Sequence, residues 1–427
     1  MKVLVVGSGA REHAIVHALR RSPSVAEVFA APGNPGIAAA ADVLPIAADE
    51  IASLAEAAED LHIDLTVVGP ELPLAMGIGD EFAKRGLRLF GPNRAAAEIE
   101  ASKVFAKEFC LRHGIPTAAS RVVETEDEAR KAVSNMGLPI VLKADGLAAG
   151  KGVIIVTTND ELDEAMHVYF SEKRFGSAGR RVLVEELLTG EELSYMVVSD
   201  GTRFVPLATS HDYKRAHDGN RGPNTGGMGS HSPAVLPAGS GRAVLEDIVR
   251  PALAGMAAEG RPYRGVLYVG VMMTAAGPKV LEFNCRLGDP ETQSILLRLE
   301  DDLGLILKTA ADGQLSTRNA SWRREAVACV VLASKGYPGA VHRGVPIVGI
   351  EEALAQKRVV VYQAATAAGS DGRLLTAGGR VLSVCGRGAT LADAVETAYR
   401  GVACIHFDGM QFRTDIGADT LQHMETP

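Results

Sequence analysis

The sequence predicts a multidomain chain of α/β and α+β type: an N-terminal doubly wound parallel-sheet domain, a central α+β unit and a small β-rich C-terminal domain. Three observations predict it. At 427 residues the chain is too long for one ordinary core. The first hundred residues alternate short β-branched runs with helical spacing, the pattern of a parallel sheet wrapped by helices. From about residue 325 the pattern changes to short β-rich segments with glycine turns.

The elements follow in order. Lys2 to Val6 is a strand ending at Gly7, and Ala14, Ile15, Ala18 and Leu19 recur at helical spacing. Val28 to Ala31 ends in Pro32-Gly33-Asn34-Pro35-Gly36. Leu65 to Val68 ends at Gly69-Pro70, and Arg88 to Phe90 at Gly91-Pro92. A helix over Lys103–His113 opens the second unit. Strands are expected at Pro139–Leu142, Val153–Val156, Val182–Glu185 and Ser194–Ser199. The polar stretch His211–Ser232 reads as a long loop, functional or disordered. Val266–Met273 and Lys279–Asn284 read as a hairpin joined by Ala275-Ala276-Gly277-Pro278. Ala326–Ala333, Val359–Gln363 and Arg380–Cys385, with a helix over Leu391–Val402, complete the chain. The expected domains are 1–101, 102–324 with a mobile lid at about 123–190, and 325–427.

A net charge of −8 argues against a dedicated nucleic-acid binder, while a local basic cluster can still hold a small anion. The five cysteines have neither zinc nor CxxC spacing, so reduced thiols in the cytoplasm are expected. The apolar run at the N-terminus is too short for a signal peptide. No uninterrupted apolar stretch reaches 18 residues, so no membrane span is expected.

Four segments carry chemistry. Gly7-Ser8-Gly9-Ala10-Arg11-Glu12 ends a strand and opens a helix, as an anion-binding turn or only a tight turn. Glu12 stands where a dinucleotide fingerprint needs its third glycine, which disfavours a nicotinamide enzyme. In Lys143 to Gly152, two lysines and Gly146, Gly150 and Gly152 lie between strands. This is no Walker loop, because a strand follows it; it reads as a Gly-rich hairpin over nucleotide phosphates or an ordinary hairpin. Glu282 and Asn284, at i and i+2 of a strand, face one side and offer two hard oxygens suited to Mg²⁺. Arg286, Asp289 and Glu291 follow. Gly222-Pro223-Asn224-Thr225-Gly226-Gly227-Met228-Gly229, preceded by His211, Asp212, Lys214 and Arg215, can present consecutive N–H groups as an anion nest.

With Val68-Gly69-Pro70-Glu71-Leu72-Pro73-Leu74 and Arg413-Thr414-Asp415-Ile416-Gly417, these segments resemble the ATP-grasp phosphoribosylamine–glycine ligases along essentially the whole chain. The resemblance implies a central ATP-grasp fold and ATP-dependent joining of glycine to 5-phosphoribosylamine in purine biosynthesis, through glycyl phosphate. It implies ATP beneath the loop, contacted by Lys103, Lys143, Asp145, Gly146, Gly150, Lys151 and Gly152. Glu185, Glu186 and Leu188 would line the adenine, and Glu192 would take the ribose. Glu282 and Asn284 would hold Mg²⁺ or Mn²⁺. Arg286, Lys143 and Lys214 would be catalytic. Substrate contacts would come from Gly7, Ser8, Gly9, Asn34, Pro35, Gly36, Glu71, Asp212, Asn224, Thr225, Gly226, Gly227, Met228, Gly229, Arg286, Gly288 and Asp289. The chain departs from the wider superfamily in having no acid on Val266–Met273, where many relatives place another metal ligand. His13 and His211 are candidates for a general base. A monomer or weak dimer is expected, with no nucleic-acid or membrane partner. The alternatives are another ATP-grasp ligase or carboxylase of purine metabolism, or a silent nucleotide-binding regulator. Lys143, Glu282, Asn284 and Arg286 together speak against the regulator.

Overall fold

The computed structural model describes residues 1–147, 152–236, 239–316 and 318–425. The N-terminal strands are β1 (Lys2–Gly7), β2 (Glu27–Pro32), β3 (Asp42–Val43), β4 (Leu65–Val68) and β5 (Leu89–Phe90). They form one parallel sheet in the order β3-β2-β1-β4-β5. Val3–Val6 and Leu65–Val68 are buried, as continuous apolar runs in a sheet covered on both faces should be. The strand order reverses direction at β1 and β4, and clefts in such sheets open at the carboxyl ends flanking that reversal. Gly7–Gly9 and Gly69–Glu71 stand there.

Next come β6 (Ser120–Val123), β7 (Ile140–Ala144), β8 (Val153–Val156) and β9 (Val182–Glu186), an antiparallel sheet ordered β6-β9-β7-β8. Two helices, Glu126–Met136 and Asn159–Met166, pack on it around Ala129, Val133, Leu162 and Met166. Both start with a threonine cap, Thr125 and Thr158, answered by Glu128 and Glu161 in reciprocal capping boxes.

The chain continues through β10 (Glu191–Asp200), β11 (Phe204–Pro206), β12 (His211–Asp212), β13 (Arg215–His217), β14 (Arg221–Asn224), β15 (Gly229–Ser232), β16 (Arg264–Thr274) and β17 (Gly277–Asn284). A second antiparallel sheet runs β11-β10-β16-β17. The hairpin expected at 266–284 is present, with Gly277 and Pro278 inside the second strand. One core joins this sheet to the N-terminal sheet through Leu4, Phe29, Val197, Leu267 and Phe283.

The last strands are β18 (Ala326–Ala333), β19 (Val359–Gln363), β20 (Thr366–Ala368), β21 (Leu374–Thr376) and β22 (Arg380–Gly388). Their main sheet is ordered β12-β15-β18-β22-β19. The stretch read as a loop over His211–Ser232 is therefore four short strands. Two of them extend the C-terminal sheet, with Gly229 opposite Val330 and Ser232 opposite Val327. Strands this short gain order from a partner distant in sequence, which a local pattern does not reveal. The helix Leu391–Cys404 covers the sheet through Ala394, Ala398 and Val402.

Candidate active site

The helix Ala10–Arg20 begins at Gly9, whose N–H donates to Glu12 Oε2 at 2.6 Å. Arg11 Nε donates to the other oxygen at 2.6 Å. A Cβ on Gly69 would lie 2.0 Å from that Glu12 oxygen, so glycine there makes room for the carboxylate. Glu12 thus occupies the place where a dinucleotide pyrophosphate would sit. Ser8 is exposed beside it.

The lysines gather between the two central sheets. Lys143, at the end of β7, pairs with Glu185 Oε2 at 2.7 Å and donates to the Leu281 carbonyl at 3.0 Å. Lys107 pairs with the other Glu185 oxygen at 2.7 Å and reaches Thr117 Oγ1 at 2.6 Å and the Ala118 carbonyl at 3.1 Å. All three charged groups are buried, so the Glu185 side chain is a buried anchor between two cations. Glu186 accepts from the Ala119 N–H at 3.0 Å and Lys279 at 3.1 Å, and Leu188 beyond it is half-buried.

Lys103 opens its helix and donates to the Gly146 carbonyl at 3.0 Å. Burial lowers its pKa, against the pull of Glu282. Asp145 is committed to the fold. It accepts from Ser102 Oγ at 2.8 Å and the Val104 N–H at 3.1 Å, and pairs with Arg181 at 2.5 Å. The Gly152 carbonyl takes the Ala144 N–H at 2.8 Å and the Tyr169 hydroxyl at 3.0 Å. Gly150 and Lys151 lie outside the described residues.

Glu282 stands at the centre. Burial alone would raise its carboxyl, but Lys214, Lys143, Lys103 and Arg286 outweigh burial and hold it at about 2. Lys214 lies 3.4 Å from it and also pairs closely with Glu192. Burial opposes the charge on Lys214; the two carboxylates outweigh that and push its pKa well up. Arg286 is held between Glu71 and Glu100, each at 3.3 Å, with the Asn284 amide oxygen at 3.5 Å. Glu100 also accepts from the Cys285 N–H at 2.8 Å.

The donor set fits a divalent cation that shares its shell with phosphate. Glu282 and Asn284 offer two hard oxygens on one strand, and the Asn284 oxygen makes only a long contact to Arg286. Among the described residues no group of three His, Cys, Asp or Glu side chains could cage a metal alone.

The glycine-rich segment corrects one expectation. The N–H groups of Thr225 to Met228 do not form an open nest. Thr225 N–H goes to the Lys214 carbonyl at 2.8 Å, and Gly226 N–H to the Tyr337 hydroxyl at 2.9 Å. Gly227 N–H goes to Thr225 Oγ1 at 3.0 Å, and Met228 N–H to the Tyr213 carbonyl at 2.8 Å. The glycines serve close packing instead. At Gly227, φ is +106°, and a Cβ would lie 2.4 Å from Pro290 Cδ and 2.8 Å from Asp212 Oδ1. Asn224 pairs with Arg215 across β13 and β14, and Gly229 enters β15. Arg380, from β22, clamps the segment by donating to the Gly226 carbonyl at 2.5 Å and pairing with Asp289 at 2.8 Å. Gly288 is crowded by Glu291, which a Cβ would approach to 2.5 Å.

Asn34, Pro35 and Gly36 lie at the start of a short helix beside the Gly7–Gly9 turn. The Asn34 oxygen caps its short helix by accepting from the Ile37 N–H at 2.9 Å, while its amide donates to the Ser8 and Gln363 carbonyls, both at 2.8 Å. Both candidate histidines are half-buried and engaged by neighbouring groups. His13 Nδ1 accepts from the Gln363 N–H at 2.9 Å, and burial lowers its pKa to about 4. His211 stacks on His231 at 5.4 Å, and burial lowers its pKa too. Sequence reading missed Lys107, Glu100, Arg11 and Arg380. Only Arg11 sat in a quoted motif; the others are single charges whose partners lie far along the chain.

Family models match the chain in three consecutive blocks. The phosphoribosylglycinamide synthetase N domain covers residues 1–100, its ATP-grasp (A) domain 101–292 and its C domain 327–419. A phosphoribosylamine–glycine ligase of Allochromatium vinosum is 48% identical, covering 98% of both chains. That of Ralstonia nicotianae is 49% identical over 98% of this chain and 99% of its own. The crystal structure of the Thermotoga maritima phosphoribosylamine–glycine ligase superposes with a TM-score of 0.84 at 36% identity, covering 97% of this chain and all of the other. A biotin carboxylase from Campylobacter jejuni shares the fold alone, with a TM-score of 0.72 at 14% identity over 100% of this chain and 95% of its own. An acid ringed by lysines between two antiparallel sheets, on a chain matched from end to end by these domains and relatives, makes this protein a member of the phosphoribosylglycinamide synthetase family, ATP-grasp ligases.

Proposed function

We propose that the chain joins glycine to 5-phosphoribosylamine with ATP, giving glycinamide ribonucleotide, ADP and phosphate by way of glycyl phosphate. The observation that carries this is Glu282 surrounded by Lys103, Lys143, Lys214 and Arg286. Four cations converge on one acid, and although Glu185, Glu192, Glu71 and Glu100 balance them, they set charged donors where a polyphosphate and a carboxylate can approach each other.

The nucleotide lies against β7, β9 and the loop between β7 and β8. Lys103 and Lys143 take phosphate oxygens, and the backbone of Glu186 and Leu188 meets the adenine. Glu185 keeps Lys143 in place from below, and Glu192 takes the ribose. Glu282 and Asn284 would hold Mg²⁺ or Mn²⁺, which when bound would supply charge neutralisation at the phosphates. Arg286, fixed by Glu71 and Glu100, steadies the glycine carboxylate beside the γ-phosphate. A carboxylate oxygen of glycine attacks phosphorus and ADP leaves. The amine of phosphoribosylamine then attacks the acyl carbon, phosphate departs with that oxygen, and the amine's proton passes to solvent or phosphate. The turn Gly7–Gly9, with Asp289 and the segment Asn224–Gly229, borders the second substrate.

The proposal includes a reduced, cytoplasmic setting and a monomer or weak dimer. All five cysteines are unpaired, in accord with that setting. Among the described residues no helix is long and apolar enough to cross a membrane.

The test is phosphate release from ATP with glycine and freshly made phosphoribosylamine, with the product identified by mass. Release is expected to require both, and to fall steeply with alanine in place of glycine. Release at an equal rate without glycine would sink the reading.

A further inference from the structure

We propose that three arginines, Arg21, Arg323 and Arg387, at the seam between the N-terminal and C-terminal units bind a small phosphate-bearing anion. The seam lies at the far end of the helix Ala10–Arg20 from Gly9 and Glu12, about 16 Å along its axis. It is separate from the cluster around Glu282 and stands whether or not the ligase reading does.

The packing brings the three together. Ala10 and Ala14 of the helix pack with Cys329, Tyr362 and Cys385 of the C-terminal sheet. The same helical stripe continues to His17 and then Arg21. His17 Nδ1 meets the Tyr362 hydroxyl at 2.9 Å and closes the inner side of the seam. Residues two apart on a strand share a face, so Arg387 follows Cys385 on β22, with Val327 of β18 opposite it. Arg323 and Glu325 come from the segment that leads into β18. Arg21 is exposed, while Arg323 and Arg387 are half-buried, so the group is open to solvent on one side.

The charges there are unbalanced. Among the described residues, Glu325 is the one carboxylate paired with any of the three, and it stands 3.9 Å from Arg387. Arg323 Nε and Arg387 Nε are shielded from solvent and have no hydrogen-bond partner among those residues. A shielded guanidinium N–H without an acceptor is costly, and in a native fold it asks for an explanation. Burial and the charges of Arg323 and Arg387 lower the pKa of Arg21. Burial, Arg21 and Arg387 lower that of His17, which leaves the imidazole neutral at pH 7. Three cations against one acid leave two positive charges, on a chain whose net charge is −8.

A phosphate dianion cancels that excess. It presents oxygens on all sides, and each guanidinium turns to meet it with Nε and an Nη as a fork, the geometry that sets arginine apart from lysine. The bound anion ties the end of the helix Ala10–Arg20 to β22 and braces the two end units against each other.

The experiment is equilibrium dialysis of radiolabelled inorganic phosphate and of AMP against the full chain. Ionic strength is fixed, and a non-hydrolysable ATP analogue with Mg²⁺ saturates the nucleotide site. The wild type should hold one anion that Arg21→Gln and Arg387→Gln each weaken by about tenfold or more, with turnover unchanged. Arg387→Lys keeps the charge, loses the fork and should weaken binding as well. Equal affinity for phosphate and AMP makes the oxyanion alone the ligand, and tighter AMP adds the nucleoside; both support the site. A wild type that binds neither overturns the proposal, a result that does not depend on any variant folding. So does equal binding by wild type and both glutamine variants, or a loss of turnover that parallels the loss of binding. Arg21→Gln changes an exposed side chain with no hydrogen bond among the described residues, so an unchanged melting temperature is expected for it.

Discussion

Glu282 decides the chemistry of the site because its charge is opposed by burial and sustained only by its neighbours. The ordinary carboxyl value is 4.5, and Lys214, Lys143, Lys103 and Arg286 bring it to about 2. A carboxyl depressed on folding adds stability that is fully present above 4.5 and is lost as pH falls through 2. An acid limb in the rate between pH 5 and 8 therefore belongs to another group. Glu282→Gln keeps the shape and removes the charge. The expected result is an unchanged far-UV spectrum with kcat/KM lowered on the order of a hundredfold or more. Near-normal turnover at limiting Mg²⁺ contradicts the metal assignment. Glu282 and Asn284 were legible because i and i+2 of a strand face one side. Lys107 was not, since nothing near it in sequence announces Glu185 as its partner.

At the scale of elements, the segment between β14 and β15 links the site to the C-terminal sheet. Its backbone is fixed by Tyr213, Lys214, Tyr337 and Arg380. Gly227→Ala places a Cβ against Pro290 and Asp212 at a positive φ. It should destabilise the fold by about 1–3 kcal/mol and raise the glycine KM more than the ATP KM. Thermal melting and steady-state kinetics check it, and an unshifted melting temperature counts against the packing account. The apolar runs at Leu65–Val68, Val153–Val156, Ala326–Ala333 and Val359–Gln363 were readable to the residue, because a glycine or a charged residue stands immediately before each one. β12 to β15 were not readable: β13 and β14 are three- and four-residue strands that pair with each other, and β12 and β15 join a sheet through β18, roughly a hundred residues away. The glycines of this segment were visible as a motif, but sequence alone did not separate a backbone that receives an anion from one that packs tightly.

At the scale of the whole molecule, the N-terminal and C-terminal units are joined where Asn34 and His13 meet the backbone at Gln363 and where His17 meets the Tyr362 hydroxyl at 2.9 Å. His231 ties β15 to the final helix through Thr420 at 3.0 Å. Burial lowers both His13 and His231 from 6.5 to about 4. A histidine depressed on folding binds its proton more readily when unfolded. Its contribution is therefore present above 6.5 and lost progressively as pH falls toward 4. Chemical denaturation across that range should show stability declining toward acid. His13→Gln should flatten the decline, and an identical slope in the variant removes His13 as its source.

The proposed reaction turns on one step, in which the glycine carboxylate is activated by taking the γ-phosphoryl group. Glycine labelled with ¹⁸O in its carboxylate tests this directly, with phosphate recovered from a complete reaction. If a carboxylate oxygen attacks phosphorus and leaves with it when the amine displaces phosphate, each phosphate carries one labelled oxygen. Unlabelled phosphate, alongside normal formation of the amide, contradicts the acyl-phosphate route and the roles assigned to Arg286 and the lysines around Glu282.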